Sequence, residues 1–250
     1  MEKSNIVINT LVFLDEINKG VKQSSLLRDI NSLGISKAEV RREFIRDFEV
    51  EIKEIREISR GLKMELYYSV PKCMYINGRL ASDDIEKYFR EAYEMKCRNV
   101  KLNIGDYRDI NSGDAAIINF LCDKYQIKLT IENDQTAENG RVEKIKEFLE
   151  HAQRLKVKIS ATFDVGNWLW QNQDPLENAN TLRAYVTYIH LKDVKIKDKP
   201  QATLLDKGII PWRSILDIFD KNLPVAIEYP CSPNALLTVE DEIRKLEALN

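Results

Sequence analysis

The chain has 250 residues, enough for one large domain or two small ones with a sizeable hydrophobic core. Its 38 basic and 40 acidic residues are spread along the chain and give a net charge of −2, so the composition carries no electrostatic signature of binding to nucleic acid or to an anionic membrane. The four cysteines are scattered, and no leader-like or long apolar segment occurs, so we expect a soluble cytoplasmic protein with reduced thiols.

Short β-branched runs alternate with longer segments of helical periodicity in the first half of the chain. Strands are predicted at residues 5–13, 38–42, 65–70 and 99–104. Pro71 and Gly105 are expected to end the third and fourth of these strands, and the second is the least regular. Helices are predicted at residues 15–33, 44–62, 82–95 and 112–125, with Gly20 weakening the first.

The second half repeats this alternation, and each of its predicted strands ends close to a residue that can bind a metal. These residues are Glu132, Asp164, His190 and Glu228. Helices are expected from about residue 139 and at residues 175–185, 211–219 and 238–249, with a lysine-rich loop after His190. Eight strand–helix pairs without a composition shift predict one (β/α)8 barrel domain, a TIM barrel, over residues 1–250. The sequence has no glycine-rich nucleotide-binding motif, which argues against a dinucleotide-binding sheet.

The four strand-end residues predict one shared metal site. A single histidine beside an apolar strand is usually structural, but buried carboxylates are costly unless they are paired or bound to a metal. Active sites of such barrels form at the carboxyl ends of the strands, where Glu132, Asp164, His190 and Glu228 would meet. An oxygen-rich set with one imidazole suits a divalent ion such as Mn²⁺ or Mg²⁺, or similarly Co²⁺ or Zn²⁺, better than a thiolate-type zinc site.

A metal at this place predicts proton transfer next to a carbonyl. The ion could hold a substrate carbonyl and a neighbouring hydroxyl and stabilise an enediolate, with Glu132 and Glu228 as the base and the acid. The candidate substrate-binding residues are Arg41, Lys101, Asn167, Trp168 and Lys192. Ion pairs of Arg41 or Lys101 with Glu39 or Glu65, and rim packing of Trp168, are the structural alternatives. The lysine-rich loop is a candidate phosphate site, although such loops are usually solvated.

Five segments carry a more specific pattern. They are residues 131–136 (IENDQT), 163–168 (FDVGNW), 189–193 (IHLKD), 208–212 (GIIPW) and 227–229 (IEY). Together they resemble the sugar phosphate isomerase/epimerase family of xylose isomerase-like barrels. The resemblance implies that Glu132, Asp164, His190 and Glu228 bind the metal and that the two glutamates exchange the substrate proton. Ketose epimerases of this family place a substrate-contacting histidine where this chain has Asn167, which cannot titrate near neutral pH.

The sequence therefore predicts a metal-dependent isomerase or epimerase of a small sugar, sugar derivative or sugar phosphate. No nucleic-acid or membrane partner is expected, and a homodimer or higher homo-oligomer is an open possibility. One alternative is a keto-polyol dehydratase of the inosose type on the same site. Another is a sugar-binding barrel without catalysis, which Asn167 favours and the two glutamates disfavour. An abasic-site endonuclease shares the barrel but needs many histidines, and this chain has two.

Overall fold

The computed structural model contains a closed barrel of eight parallel strands. It describes residues 1–249, and Asn250, the last residue of the predicted domain, lies outside the described residues. The strands are β1 (Ile6–Asn9), β2 (Lys37–Arg41), β3 (Glu65–Ile76), β4 (Arg79–Leu80), β5 (Cys97–Gly105), β6 (Lys128–Glu132), β7 (Ile159–Asp164), β8 (Val186–Leu191), β9 (Asp193–Ile196), β10 (Pro200–Thr203) and β11 (Val225–Ile227). Around the barrel the order is β1, β2, β3, β5, β6, β7, β8 and β11, which pairs again with β1. This closure confirms the predicted TIM barrel.

Helices surround the barrel and pack their apolar faces on the outer sides of its strands. They are α1 (Leu14–Asn18), α2 (Gln23–Ser32), α3 (Phe48–Gly61), α4 (Ser82–Met95), α5 (Ser112–Tyr125), α6 (Val142–Arg154), α7 (Pro175–Leu182), α8 (Trp212–Leu216) and α9 (Ala235–Glu247). Their starts follow local chemistry: Asn111 forms a capping box with Asp114 at α5, and Asp174 caps α7 just before Pro175. None of the helices in the described part of the chain has both the length and the apolar character needed to span a bilayer.

A second, smaller apolar cluster fills the inside of the barrel. It consists of Val7, Tyr67, Tyr188 and Ala226, and the two tyrosine rings stack with centroids 4.8 Å apart. Tyr188 also meets the ring of His190 edge-on, at 4.9 Å between centroids. Because side chains alternate along a strand, this apolar layer lies directly below the layer that contains His190 and supports it.

Three predictions in the connecting segments are wrong. The helix predicted at residues 15–33 is divided into α1 and α2, because Gly20 adopts a φ of 100° that a helix does not allow. Pro71 does not end β3, which continues to Ile76. The register of β3 with β5 shifts between Ser69 and Cys73, and an irregular pairing can accommodate a residue that has no backbone N–H. The lysine-rich loop contains the antiparallel hairpin of β9 and β10.

Candidate metal and active site

The four strand-end residues converge at the carboxyl mouth of the barrel and form what we call the acid–histidine cluster: Glu132, Asp164, His190 and Glu228. One potential ligand atom from each residue lies within 4.8 Å of the others, and all four residues are buried. Mg²⁺ and Zn²⁺ bind their ligands at about 2.0–2.2 Å, so opposite donors lie about 4 Å apart. The cluster is therefore close to the size of a coordination shell and needs only small side-chain movements to become one.

His190 lies at the centre of the cluster, and both of its ring nitrogens face carboxylates. Nδ1 lies 2.6 Å from Glu132 Oε1 and 3.3 Å from Glu228 Oε2. Nε2 points the other way and lies 2.9 Å from Oε2 of Glu39, a fully buried residue on β2. Burial alone would lower the pKa of His190, but Glu39, Glu228 and Glu132 outweigh burial and raise this pKa well above its usual value. The three carboxylates therefore favour the protonated form of the imidazole.

The two glutamates of the cluster each divide their oxygens between His190 and a buried cation. Glu132 Oε2 pairs with Lys101, and Glu228 Oε1 lies 2.5 Å from Arg41 Nη1. Burial alone would raise both glutamate pKa values, but Lys101 and His190 lower the pKa of Glu132 to about 2. His190 and Lys192 outweigh burial at Glu228, and the pKa of that carboxyl is well below its usual range. Both glutamates are therefore ionised and held in fixed orientations.

Asp164 and Lys192 form the other half of the cluster. Asp164 Oδ1 accepts the backbone N–H groups of Gly166 and Asn167, at 2.9 and 2.8 Å. Its Oδ2 makes no hydrogen bond with the described residues but lies 2.7 Å from Lys192 Nζ, which is also 3.2 Å from Glu228 Oε2. Burial raises the pKa of Asp164 to about 7 in spite of this contact with Lys192. Lys192 thus contacts two oxygens that a metal ion would require.

A cavity of about 410 Å³ opens above the cluster, within the size range of small-molecule sites. Glu132 and Glu228 line it, whereas Asp164 and His190, both with no exposed surface, lie beneath it. The other polar lining residues are Arg41, Lys101, Asn103, Asp134, Gln135, Thr136, Asn167 and Lys192. The arrangement leaves the two glutamates able to reach a molecule in the cavity while the aspartate and histidine remain covered.

Four of the five candidate substrate-binding residues, Arg41, Lys101, Asn167 and Lys192, line this cavity. The fifth, Trp168, is fully buried and packs against Phe163 at 5.4 Å between ring centroids, so its position gives no support to a substrate contact. Lysines 195, 197 and 199 belong to the β9–β10 segment and are not part of the cavity wall. A phosphate in this cavity would therefore meet Lys192 rather than the lysine-rich segment.

Two side chains near the cluster play parts that sequence patterns did not indicate. Glu39 contacts His190 instead of Arg41 or Lys101. In the sequence it lies two residues before Arg41, on the same strand face, within a segment (residues 39–43) that also resembles the family. Gln135 donates from Nε2 to Asn167 Oδ1 at 3.2 Å, while Asn167 Nδ2 donates to the backbone oxygen of Asn133. The amide of Asn167 therefore ties the β6 and β7 loops together at the cavity wall.

Comparison with known proteins agrees with this architecture. A family model described as xylose isomerase-like TIM barrel matches residues 16–249. Among solved structures, a D-tagatose 3-epimerase-like protein superposes with a TM-score of 0.73 at 17% identity, covering 98% of each chain. A D-allulose 3-epimerase from Methylomonas sp. gives 0.72 at 9% identity, also over 98% of each chain. The probable 3-DHS dehydratase AsbF from Bacillus anthracis gives 0.70 at 13% identity, over 97% of this chain and 98% of that chain. These identities establish a shared fold, and the sequence matches none of the curated proteins.

Proposed function

We propose, from the premise that the chain belongs to the xylose isomerase-like TIM barrel family, that it is a metal-dependent isomerase or epimerase of a small sugar or sugar derivative. One observation carries the proposal. Two ionised glutamates line a cavity of suitable size, and one oxygen of each lies within 4.8 Å of a potential ligand atom of a buried aspartate and of a buried histidine. Salt bridges alone would not require two of these acids to border an open cavity.

The donor set fits a divalent metal. Glu132, Asp164, His190 and Glu228 would hold the ion, and three carboxylates with one imidazole suit Mn²⁺ or Mg²⁺ in particular. The buried Oδ2 of Asp164 makes no hydrogen bond with residues 1–249 and lies 2.7 Å from the Lys192 ammonium, a cation whose place a divalent ion could take. When bound, such an ion polarises a substrate carbonyl with its neighbouring hydroxyl and stabilises the negative charge of an enediolate.

The proton transfer itself would belong to Glu132 and Glu228. They come from β6 and β11, with β7 and β8 between them, and so approach the cavity from different sides. An ionised carboxylate is the form that accepts a proton. Lys101 and His190 keep Glu132 in that form, and His190 and Lys192 keep Glu228 in it. One glutamate would remove the proton next to the carbonyl. In an isomerisation the same glutamate, now protonated, would return that proton to the neighbouring carbon. In an epimerisation the other glutamate would first take a proton from solvent and deliver it to the opposite face, and the first would later lose its proton to solvent.

Arg41, Lys101, Asn167 and Lys192 are the proposed substrate contacts. Lys192 and Arg41 supply positive charge at the cavity wall for hydroxyls, a carboxylate or a phosphate, and Asn167 supplies an amide. A keto-polyol dehydratase would begin with the same proton removal and differ only in the loss of water afterwards. The nature of the product therefore distinguishes the two reactions.

The proposal can be tested by deuterium exchange. The Mn²⁺-supplemented protein is incubated in D₂O with ketoses, keto-inositols and their phosphates, and we expect deuterium at the carbon next to the carbonyl of the isomerised product. Glu132→Gln should lower turnover by about 100-fold or more, because a general base contributes about 10²–10⁴-fold. Glu51→Gln is the matched control, because Glu51 is also a buried glutamate but lies on α3. Sugar binding without any deuterium uptake would contradict catalysis, and full activity in Glu132→Gln would exclude that residue as the base.

A further inference from the structure

Glu39 is a fully buried carboxylate that the proposed proton transfer does not use. It lies on β2, and its Oε2 is 2.9 Å from Nε2 of His190, on the side of the imidazole that faces away from Glu132 and Glu228. This contact is an ion pair by distance, and Nε2 makes no hydrogen bond with residues 1–249. Asn9 Nδ2 donates a hydrogen bond to the same oxygen at 2.5 Å and so fixes the carboxylate from β1. Among residues 1–249, His190 is the only basic side chain within ion-pair distance of Glu39.

This isolation determines where the proton of His190 is most stable. A buried carboxylate without a cation is strongly unfavourable, so Glu39 stabilises the imidazole form that keeps its proton on Nε2. The lone pair that remains then belongs to Nδ1. Nδ1 is the nitrogen that faces the inner oxygens of Glu132 and Glu228, at 2.6 and 3.3 Å.

We propose that Glu39 is a positioning residue that selects the Nε2–H tautomer of His190 and thereby presents Nδ1 to the metal. The inference rests on the proposed metal site and adds a residue to it. Carboxylates that accept the second N–H of a metal-binding histidine orient the ring and make the other nitrogen a better ligand. Glu39 does not line the cavity, so it would act through His190 and not on the substrate.

The first test is metal affinity in the absence of substrate, measured by calorimetric titration of the full chain with Mn²⁺. Loss of such a supporting group typically weakens metal binding by about 10- to 100-fold, and we expect this weakening in Glu39→Gln. The amide keeps the size of the side chain but can also donate to Nε2, which allows the unfavourable tautomer. Glu51→Gln, a buried glutamate of α3 away from the cluster, should bind Mn²⁺ as the wild type does.

The second test needs no change at Glu39 and remains informative even if Glu39→Gln does not fold. The chain has only two histidines, so the ring nitrogens of protein labelled with ¹⁵N-histidine can be assigned with the help of His151→Gln. In the Zn²⁺-loaded wild type we expect a proton on Nε2 of His190 and none on Nδ1. A proton on Nδ1 would overturn the inference, because Nδ1 could not then hold the metal.

The outcomes separate this inference from the proposed function. Wild-type protein that binds no divalent ion would overturn both. Equal Mn²⁺ affinities for the wild type and Glu39→Gln would overturn the positioning role alone and leave the metal site in place. Weaker binding in Glu39→Gln, unchanged binding in Glu51→Gln and an Nε2–H tautomer would together establish the role of Glu39.

Discussion

Replacing Lys192 with methionine tests whether a metal ion and the Lys192 ammonium group compete for the same carboxylate oxygens of the acid–histidine cluster. The ammonium group of Lys192 lies 2.7 Å from Asp164 Oδ2 and 3.2 Å from Glu228 Oε2. These are oxygens that the proposed ion would bind, so an arriving ion must displace the ammonium. Lys192→Met removes this competitor and keeps most of the apolar stem of the side chain. We therefore expect the variant to bind Mn²⁺ more tightly than the wild type.

The size of this effect follows from the contacts. Two unit charges about 4 Å apart interact by about 4 kcal/mol at an effective dielectric constant of about 20, and a divalent ion doubles the repulsion. Lys192 borders the cavity, so its ammonium can turn away from the ion and avoid most of this repulsion. A remaining difference of about 1.4 kcal/mol corresponds to about tenfold in affinity. We expect an increase of at least that size.

The same substitution should destabilise the metal-free protein. Removing one partner of a buried ion pair costs about 3–5 kcal/mol when the other charge remains buried. The loss should be smaller below pH 7, because burial raises the pKa of Asp164 to about 7 and the carboxyl can be neutralised by a proton. Urea unfolding in the presence of a chelator measures this loss, and calorimetric titration with Mn²⁺ measures the gain in affinity.

Lys101→Met provides the matched control. Lys101 is also buried and paired with a cluster acid, but it contacts Glu132 Oε2, whereas Oε1 is the oxygen that faces His190. Its removal should therefore increase metal affinity less than the removal of Lys192. Unchanged or weaker Mn²⁺ binding by Lys192→Met would refute the competition. A larger increase in Lys101→Met would place the ion at a different set of oxygens.

Three further predictions concern pH and packing. The pKa of His190 is raised above its usual 6.5, so the contribution of His190 to the stability of the metal-free protein should be complete below about pH 6.5. This contribution should decrease as the pH rises through the raised pKa. Unfolding in the presence of a chelator at several pH values tests this, and a stability that did not fall would contradict it. Metal binding should release this proton, and the apparent Mn²⁺ affinity should accordingly increase with pH. In Gly166→Ala, the new Cβ would lie 2.6 Å from Lys192 Cγ and 2.8 Å from Val194 Cγ2. This overpacking should destabilise the protein by about 1–3 kcal/mol, which thermal unfolding would detect. An unchanged melting temperature would mean that Lys192 moves aside freely.

The barrel could be predicted because its strands carry a strong local signal. Eight apolar runs separated by helical patterns define the alternation, and strand parity places residues such as Thr162 and Asp164 on one face. Parallel strands then bring their carboxyl ends to one rim, so residues distant in sequence meet there without any knowledge of loop structure. For this reason the convergence of Glu132, Asp164, His190 and Glu228 follows from the pattern alone.

The details that could not be predicted depend on contacts between segments distant in sequence. Trp168 follows Asp164 of β7 closely enough to suggest a cavity wall, but the indole turns toward Phe163 on the outer side of the barrel. Pro71 usually ends a strand, yet the irregular pairing of β3 with β5 removes the need for its missing N–H. The role of Glu39 depends on which ring nitrogen of His190 it meets, and neither composition nor periodicity contains that information.

The distribution of charge around the barrel mouth explains how such a site can form before any ion is present. Glu132 is paired with Lys101 from the neighbouring strand, Glu228 with Arg41, and Asp164 with Lys192. Because each of these three buried acids has a cation from another segment of the barrel, folding does not leave any of them as an uncompensated charge. The proposed metal would therefore bind to a barrel that is already folded. The affinity for the metal would then depend on how easily the ion replaces the Lys192 ammonium group and the proton of His190. It would not include a free energy of folding the site.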